Sequence, residues 1–143
     1  MCLTFEHITT QLTMKHTELL FIYGTLLPGL RLERAMDGAQ HLGPAKVKGR
    51  LYDIGSYPGL VEGEDLVAGE IYRIDPQHLR RLDEVEEMVA DDQDASLFWR
   101  VRIQIASGAH ATQWVWCYRY NRSVKGLRAV TQGDYRAYLS LCR

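Results

Sequence analysis

The sequence predicts an α+β fold in which a sheet curls around its own core. Short alternating strands recur along the chain, with only two or three short helical stretches between them. The regular strand–helix–strand alternation of a parallel sheet is absent. Two of the strands carry an internal glycine, the mark of a bulge or sharp bend that a small barrel needs. At 143 residues the chain suits one domain, large enough to bury a core without disulfide staples.

Taken in order, residues 1–18 are mixed and mostly polar. Met14 leads through Lys15, His16 and Thr17 straight into the first strand. That makes Met14 the expected natural start and residues 1–18 an N-terminal extension, disordered over 1–13, ahead of a single domain at 19–143. Leu19 to Tyr23 is an unbroken apolar run and reads as a buried strand. Leu30 to Asp37 has a weak helical pattern that closes on Gly38 as its C-cap. His41 to Pro44 reads as a connector and Lys46 to Ile54 as an alternating strand with Gly49 inside it. Gly55 to Gly59 is turn-rich. Leu66 to Ile74 is the second strand with an internal glycine, Gly69. Asp75-Pro76 then opens a helix, Asp as N-cap and Pro at the first helical position, running to about Glu87. Residues 86–96 are acidic and read as a solvated loop. Leu97 to Ile105 alternates strongly, Ser107-Gly108 reads as a hairpin turn, and Gln113 to Tyr120 returns. Gly133-Asp134 precedes a last helix at Tyr135 to Leu141.

Charge and cysteine usage exclude several functions. A formal net charge of −1 gives no electrostatic reason to expect nucleic acid or an anionic membrane as a partner. No apolar run approaches the roughly 18 residues that span a bilayer. Cys2, Cys117 and Cys142 are an odd, scattered set that suggests neither a disulfide framework nor a zinc site. The histidines are equally scattered. With no secretory leader pattern at the start, the expectation is a cytoplasmic protein without a structural metal.

Two stretches carry chemistry. The first is the end of the opening strand, Ile22-Tyr23-Gly24-Thr25-Leu26-Leu27-Pro28-Gly29. Glycine permits backbone angles closed to other residues and lets another group approach the main chain. Consecutive N–H groups in such a loop can cradle an anion, and a carboxylate is a natural occupant. The pattern is neither a Walker loop nor a dinucleotide fingerprint. It is equally that of an ordinary strand-to-loop turn.

The second is Leu82-Asp83-Glu84-Val85-Glu86-Glu87. At about 100° per residue, Glu86 shares the helix stripe of Leu79, Leu82 and Val85, with Asp83 at its edge and Glu84 and Glu87 pointing away. A carboxylate on a core-facing stripe is costly unless paired or protonated, and desolvation raises its pKa toward the range useful for proton transfer. If the helix ends before Glu86, the side chain is instead solvated near the C-terminus. Trp114, Trp116, Tyr118 and Tyr120 share one face of the last strand and read as core or as an aromatic binding wall, core being the commoner use. Tyr118 stands out because a buried phenol needs a partner.

Together these residues resemble the gamma-glutamylcyclotransferase-like superfamily, in its small bacterial and plant branch, over about residues 19 to 136. The resemblance runs through Phe21-Ile22-Tyr23-Gly24-Thr25-Leu26, Gly49-Arg50-Leu51-Tyr52-Asp53-Ile54-Gly55 and Tyr57-Pro58-Gly59-Leu60-Val61. It continues through Val67-Ala68-Gly69-Glu70-Ile71-Tyr72, Leu79 with Leu82-Asp83 and Glu86, Tyr118-Arg119-Tyr120-Asn121 and Gly133-Asp134-Tyr135. It implies a small mixed β-barrel with flanking short helices and a polar cavity at one end. It implies that Tyr23, Gly24, Thr25 and Leu26 bind the substrate's glutamyl end through main-chain N–H groups, that Glu86 is the catalytic carboxylate, and that Tyr118 lines the cavity. Two positions depart from the pattern: Glu87 stands where the family often has Gly, and Phe98 where it frequently has Tyr two places before the strand's Arg.

The chemistry implied is internal aminolysis. The α-amine of a γ-glutamyl amine or peptide attacks its own γ-carbonyl, releasing 5-oxoproline and a free amine, with no metal or organic cofactor. The rival reading is a non-catalytic module that binds a γ-glutamyl or amino-acid ligand in the same cavity. Amide hydrolysis or acyl transfer to another amine is a third, separated by whether 5-oxoproline forms.

Overall fold

The computed structural model describes residues 17–141. The expectations for Met14 and residues 1–13, and for Cys2 and Cys142, lie outside them. Five strands, β1 (Glu18–Ile22), β2 (Gln40–Asp53), β3 (Pro58–Ile74), β4 (Phe98–Gly108) and β5 (Trp114–Tyr120), close into a barrel in the order β1-β3-β2-β4-β5. β1 runs parallel to β5 through Leu20↔Trp116 and Phe21↔Cys117, and the other neighbours are antiparallel, so the barrel is mixed. Two α-helices, α1 (Pro76–Val85) and α2 (Tyr135–Leu141), flank it.

The unbroken apolar run in β1 has a simple cause: both of its faces are buried. Phe21 points into the barrel with Val47, Leu51, Leu60, Val67 and Ile71. Leu20 and Ile22 point outward and are covered by Leu79 and Leu82 of α1. β5 divides the same way. Val115 and Cys117 fill the interior, whereas Tyr118 lies outside under α1. The aromatic face of β5 is therefore neither barrel core nor one continuous wall. Trp114 is exposed, and Trp116 sits between the guanidinium groups of Arg100 and Arg102, at 4.3 and 4.4 Å from its ring centre.

Several boundaries differ from expectation. His41 to Pro44 belongs to β2, with a register shift between His41 and Gly43. β3 starts at Pro58, a proline tolerated at a first strand position. Gly108 ends β4, and the turn follows it. Leu30 to Asp37 forms only a 3-10 turn at Glu33–Met36. At Gly49 the expected irregularity is present, as a register shift opposite Val61 to Asp65.

α1 starts as expected, with the Asp75 carboxylate accepting the His78 N–H at 2.8 Å. It ends at Val85 rather than about Glu87, and Val85 is 42% exposed. The apolar stripe is thus Leu79 and Leu82 alone. The acidic loop after it is exposed at Asp91, Asp92 and Asp94, and is tied at its base by buried Ser96, whose Oγ accepts the Val89 N–H at 2.7 Å.

Candidate active site

The loop after β1 takes its shape from Tyr23. Its side chain turns inward, where the hydroxyl donates to the Tyr118 carbonyl and accepts the Leu60 N–H at 3.2 Å. Burial, more than any charge, raises its pKa well above the ordinary phenol value. A neutral phenol thus bolts the end of β1 to β5 and β3. Beyond it the chain closes on itself, Leu27 N–H to Gly24 O at 2.9 Å and Leu32 N–H to Thr25 O at 2.8 Å. The Gly24 and Thr25 carbonyls are used, whereas the N–H groups of Gly24, Thr25 and Leu26 find no acceptor among the described residues. Gly24 is required for space, not for a left-handed backbone: a Cβ there would lie 2.9 Å from Pro58 Cγ.

This loop forms one wall of a cavity of about 320 Å3, within the range of small-molecule sites. Tyr57 and Pro58, Phe98 and Tyr118, and Val85 with Glu86 and Glu87 supply the other walls; Arg31 adds a cation. All six residues expected at the site, Tyr23, Gly24, Thr25, Leu26, Glu86 and Tyr118, line it. Tyr23 and Tyr118 do so with their hydroxyls committed elsewhere.

Glu86 caps α1. Its N–H still bonds to Leu82 O at 2.9 Å, then the chain reverses: Glu87 adopts φ +55°, Glu87 N–H meets Glu84 O at 3.0 Å, and Met88 N–H meets Asp83 O at 2.8 Å. This is the paired 6→1 and 5→2 bonding that ends a helix on a left-handed residue, usually glycine. The reversal places Glu86 in the cavity, partly open to solvent through its mouth yet enclosed by protein on most sides. Its carboxylate makes no hydrogen bond or ion pair among the described residues. Its pKa is pushed up to about 7, by burial first and by the Glu87 carboxylate second. The side chain is neither on a continuing stripe nor fully solvated at a frayed end.

Tyr118 finds its partner in Asp83. Its hydroxyl donates to Asp83 Oδ1 at 2.6 Å and lies 3.3 Å from the Leu79 carbonyl. Arg100 meets the same carboxylate with both prongs, Nε to Oδ1 at 2.8 Å and Nη2 to Oδ2 at 3.0 Å. Phe98, one of the two positions expected to depart from the resembled pattern, packs against Tyr57 and Tyr120 at ring distances of 5.7 and 5.5 Å. The Asp83–Arg100 pair, Arg31 and Tyr57 escaped the sequence reading. Asp83 showed itself only as an acid at the edge of an apolar stripe. Among the described residues, no three His, Cys, Asp or Glu side chains converge to hold a metal.

Comparison with known proteins extends this picture. The family described as "Gamma-glutamyl cyclotransferase, AIG2-like" matches residues 20–137. The "Gamma-L-glutamyl-butirosin B gamma-glutamyl cyclotransferase" of Niallia circulans is 39% identical over 107 residues, 72% of this chain and 67% of the relative. The "Gamma-glutamylcyclotransferase family protein YtfP" of Escherichia coli K12 is 34% identical over 117 residues, 81% of this chain and 94% of the relative. Among solved structures, an AIG2-like protein from Mus musculus superposes with a TM-score of 0.62 at 25% identity, covering 76% of this chain and 80% of that one.

Proposed function

The chain belongs to the gamma-glutamyl cyclotransferase, AIG2-like family, and from that premise we propose that it releases 5-oxoproline and a free amine from a γ-glutamyl amine or peptide. The observation that carries this reading is the unpaired carboxyl of Glu86, its pKa pushed up to about 7 by burial, inside the cavity that Thr25 and Leu26, whose N–H groups have no acceptor among the described residues, also line. A general acid–base group works best when its pKa lies near the working pH, because both of its forms are then populated.

In the proposed reaction the loop N–H groups hold the substrate's α-carboxylate or the oxyanion that develops on the γ-carbonyl. The cavity keeps the glutamyl chain bent, with amine and carbonyl carbon about 3–3.5 Å apart. Ionised Glu86 takes a proton from the α-ammonium. The freed amine attacks the γ-carbonyl carbon, the lactam C–N bond forms, and the carbonyl π electrons move to oxygen. The electron pair on oxygen then returns to rebuild the carbonyl, the bond from that carbon to the leaving nitrogen breaks, and Glu86 gives its proton to that nitrogen. It takes a second proton from the ring nitrogen, which the departing amine receives. One carboxylate lying between the two nitrogens suffices for both transfers.

The test is incubation with a panel of γ-glutamyl amines and γ-glutamyl dipeptides, reading 5-oxoproline by mass spectrometry for the wild type and Glu86→Gln. The reading expects product from at least one substrate and its loss in the variant. Ligand binding by both forms without product would instead establish a binding module.

A further inference from the structure

Glu86 is carried by a turn that Asp83 holds at two points. The Asp83 carbonyl accepts the Met88 N–H that closes the turn, at 2.8 Å. Its carboxylate is gripped by Arg100 of β4 and Tyr118 of β5. Both partners of the ion pair are largely withdrawn from water, with side-chain exposures of 15% for Arg100 and 12% for Asp83. A forked guanidinium–carboxylate pair of this kind fixes orientation as well as distance. Among the described residues no other hydrogen bond joins a side chain of α1 to β4 or β5, so this cluster ties the helix end to the barrel.

We propose that Asp83 is the positioning residue for Glu86: through Arg100 and Tyr118 it fixes the turn that carries the Glu86 carboxyl into the cavity. Its catalytic consequence rests on the reading of Glu86 as the acid–base group; the hold on the turn does not.

The experiment separates the turn from the chemistry. Hydrogen exchange of the Met88 amide, which closes the turn on the Asp83 carbonyl, is read by NMR in the ligand-free wild type, Asp83→Asn and Arg100→Gln. Both variants lose at least tenfold in Met88 protection while the amides of β1 and β3 keep theirs. In turnover of a γ-glutamyl substrate, both lower kcat at least tenfold with KM within threefold. If Asp83→Asn does not fold, Arg100→Gln, which releases the same carboxylate from the barrel side, gives the same loss. Met88 protection unchanged in every folded variant overturns the proposal. Lost protection in a protein that turns over no γ-glutamyl compound upholds the positioning of the turn and overturns the acid–base reading of Glu86.

Discussion

At the scale of single residues, the carboxyl at position 86 makes two predictions. Its pKa is about 7 in the fold against an ordinary 4.5. Between those values the folded state binds more protons than the unfolded chain, so the stability this group contributes is full below about 4.5 and is lost as pH rises through 7. Urea denaturation of Glu86→Gln should therefore show a more stable protein than wild type at pH 8 and an equal one at pH 4, while turnover falls by about two orders of magnitude or more. The ionised form is the proposed base, so kcat/KM should drop on the acid side with a midpoint near 7. Glu87 supplies a further prediction. It holds φ +55° at the position where a helix end favours glycine. Glu87→Gly should stabilise the fold by about 1 kcal/mol in denaturant melts by relieving that angle, and it should move the acid limb downward. Glu87→Gln should move the limb alike without the gain in stability. The inward bias of Glu86 was legible as periodicity, because residues 79, 82 and 86 share a helix face. The ending at Val85 was not. A run of good helix formers gives no local sign that the chain reverses on a glutamate.

At the scale of elements, the loop after β1 and the start of β3 behave as one unit. Gly24 and Pro58 touch so closely that a methyl group cannot be added without displacing one of them. Gly24→Ala should raise KM for a γ-glutamyl substrate about tenfold, through a displaced loop, whereas Thr25→Ala should change it less than threefold. Pro58→Ala added to Gly24→Ala should restore much of the loss, a coupling that a double-mutant cycle measures directly. The strand–glycine junction was readable from the chain because an apolar run stopping at Gly24 is a local pattern. The reason for the glycine was not, because Pro58 is distant in sequence and lies at the end of β3 that pairs with β2, reaching the loop only when the barrel closes. The same limit hid the Asp83–Arg100 pair. One partner lies on a helix and the other on a strand, and no local spacing rule connects them.

At the scale of the whole molecule, closure of the barrel depends on joining its first and last strands. Tyr23 reinforces that seam, with its hydroxyl between the Tyr118 carbonyl and the Leu60 N–H. Tyr23→Phe leaves two buried polar groups without their partner and should cost about 1–3 kcal/mol in denaturant unfolding. The fold class was legible because alternation, internal glycines and the absence of βαβ order are properties of the chain as a whole. The strand order was not, since β1 could have paired at several edges before the parallel match to β5 decided it.

That parallel seam also governs when the protein can work. Contacts between distant parts of a chain form slowly, because a long loop must close before they contribute. During synthesis, β1 leaves the ribosome first and must wait, half-paired, until β5 emerges. Tyr118, which anchors both Tyr23 and the turn carrying Glu86, arrives with that final strand. A nascent chain stopped before β5 therefore has no completed cavity, and the site that holds Glu86 forms only once that strand has emerged.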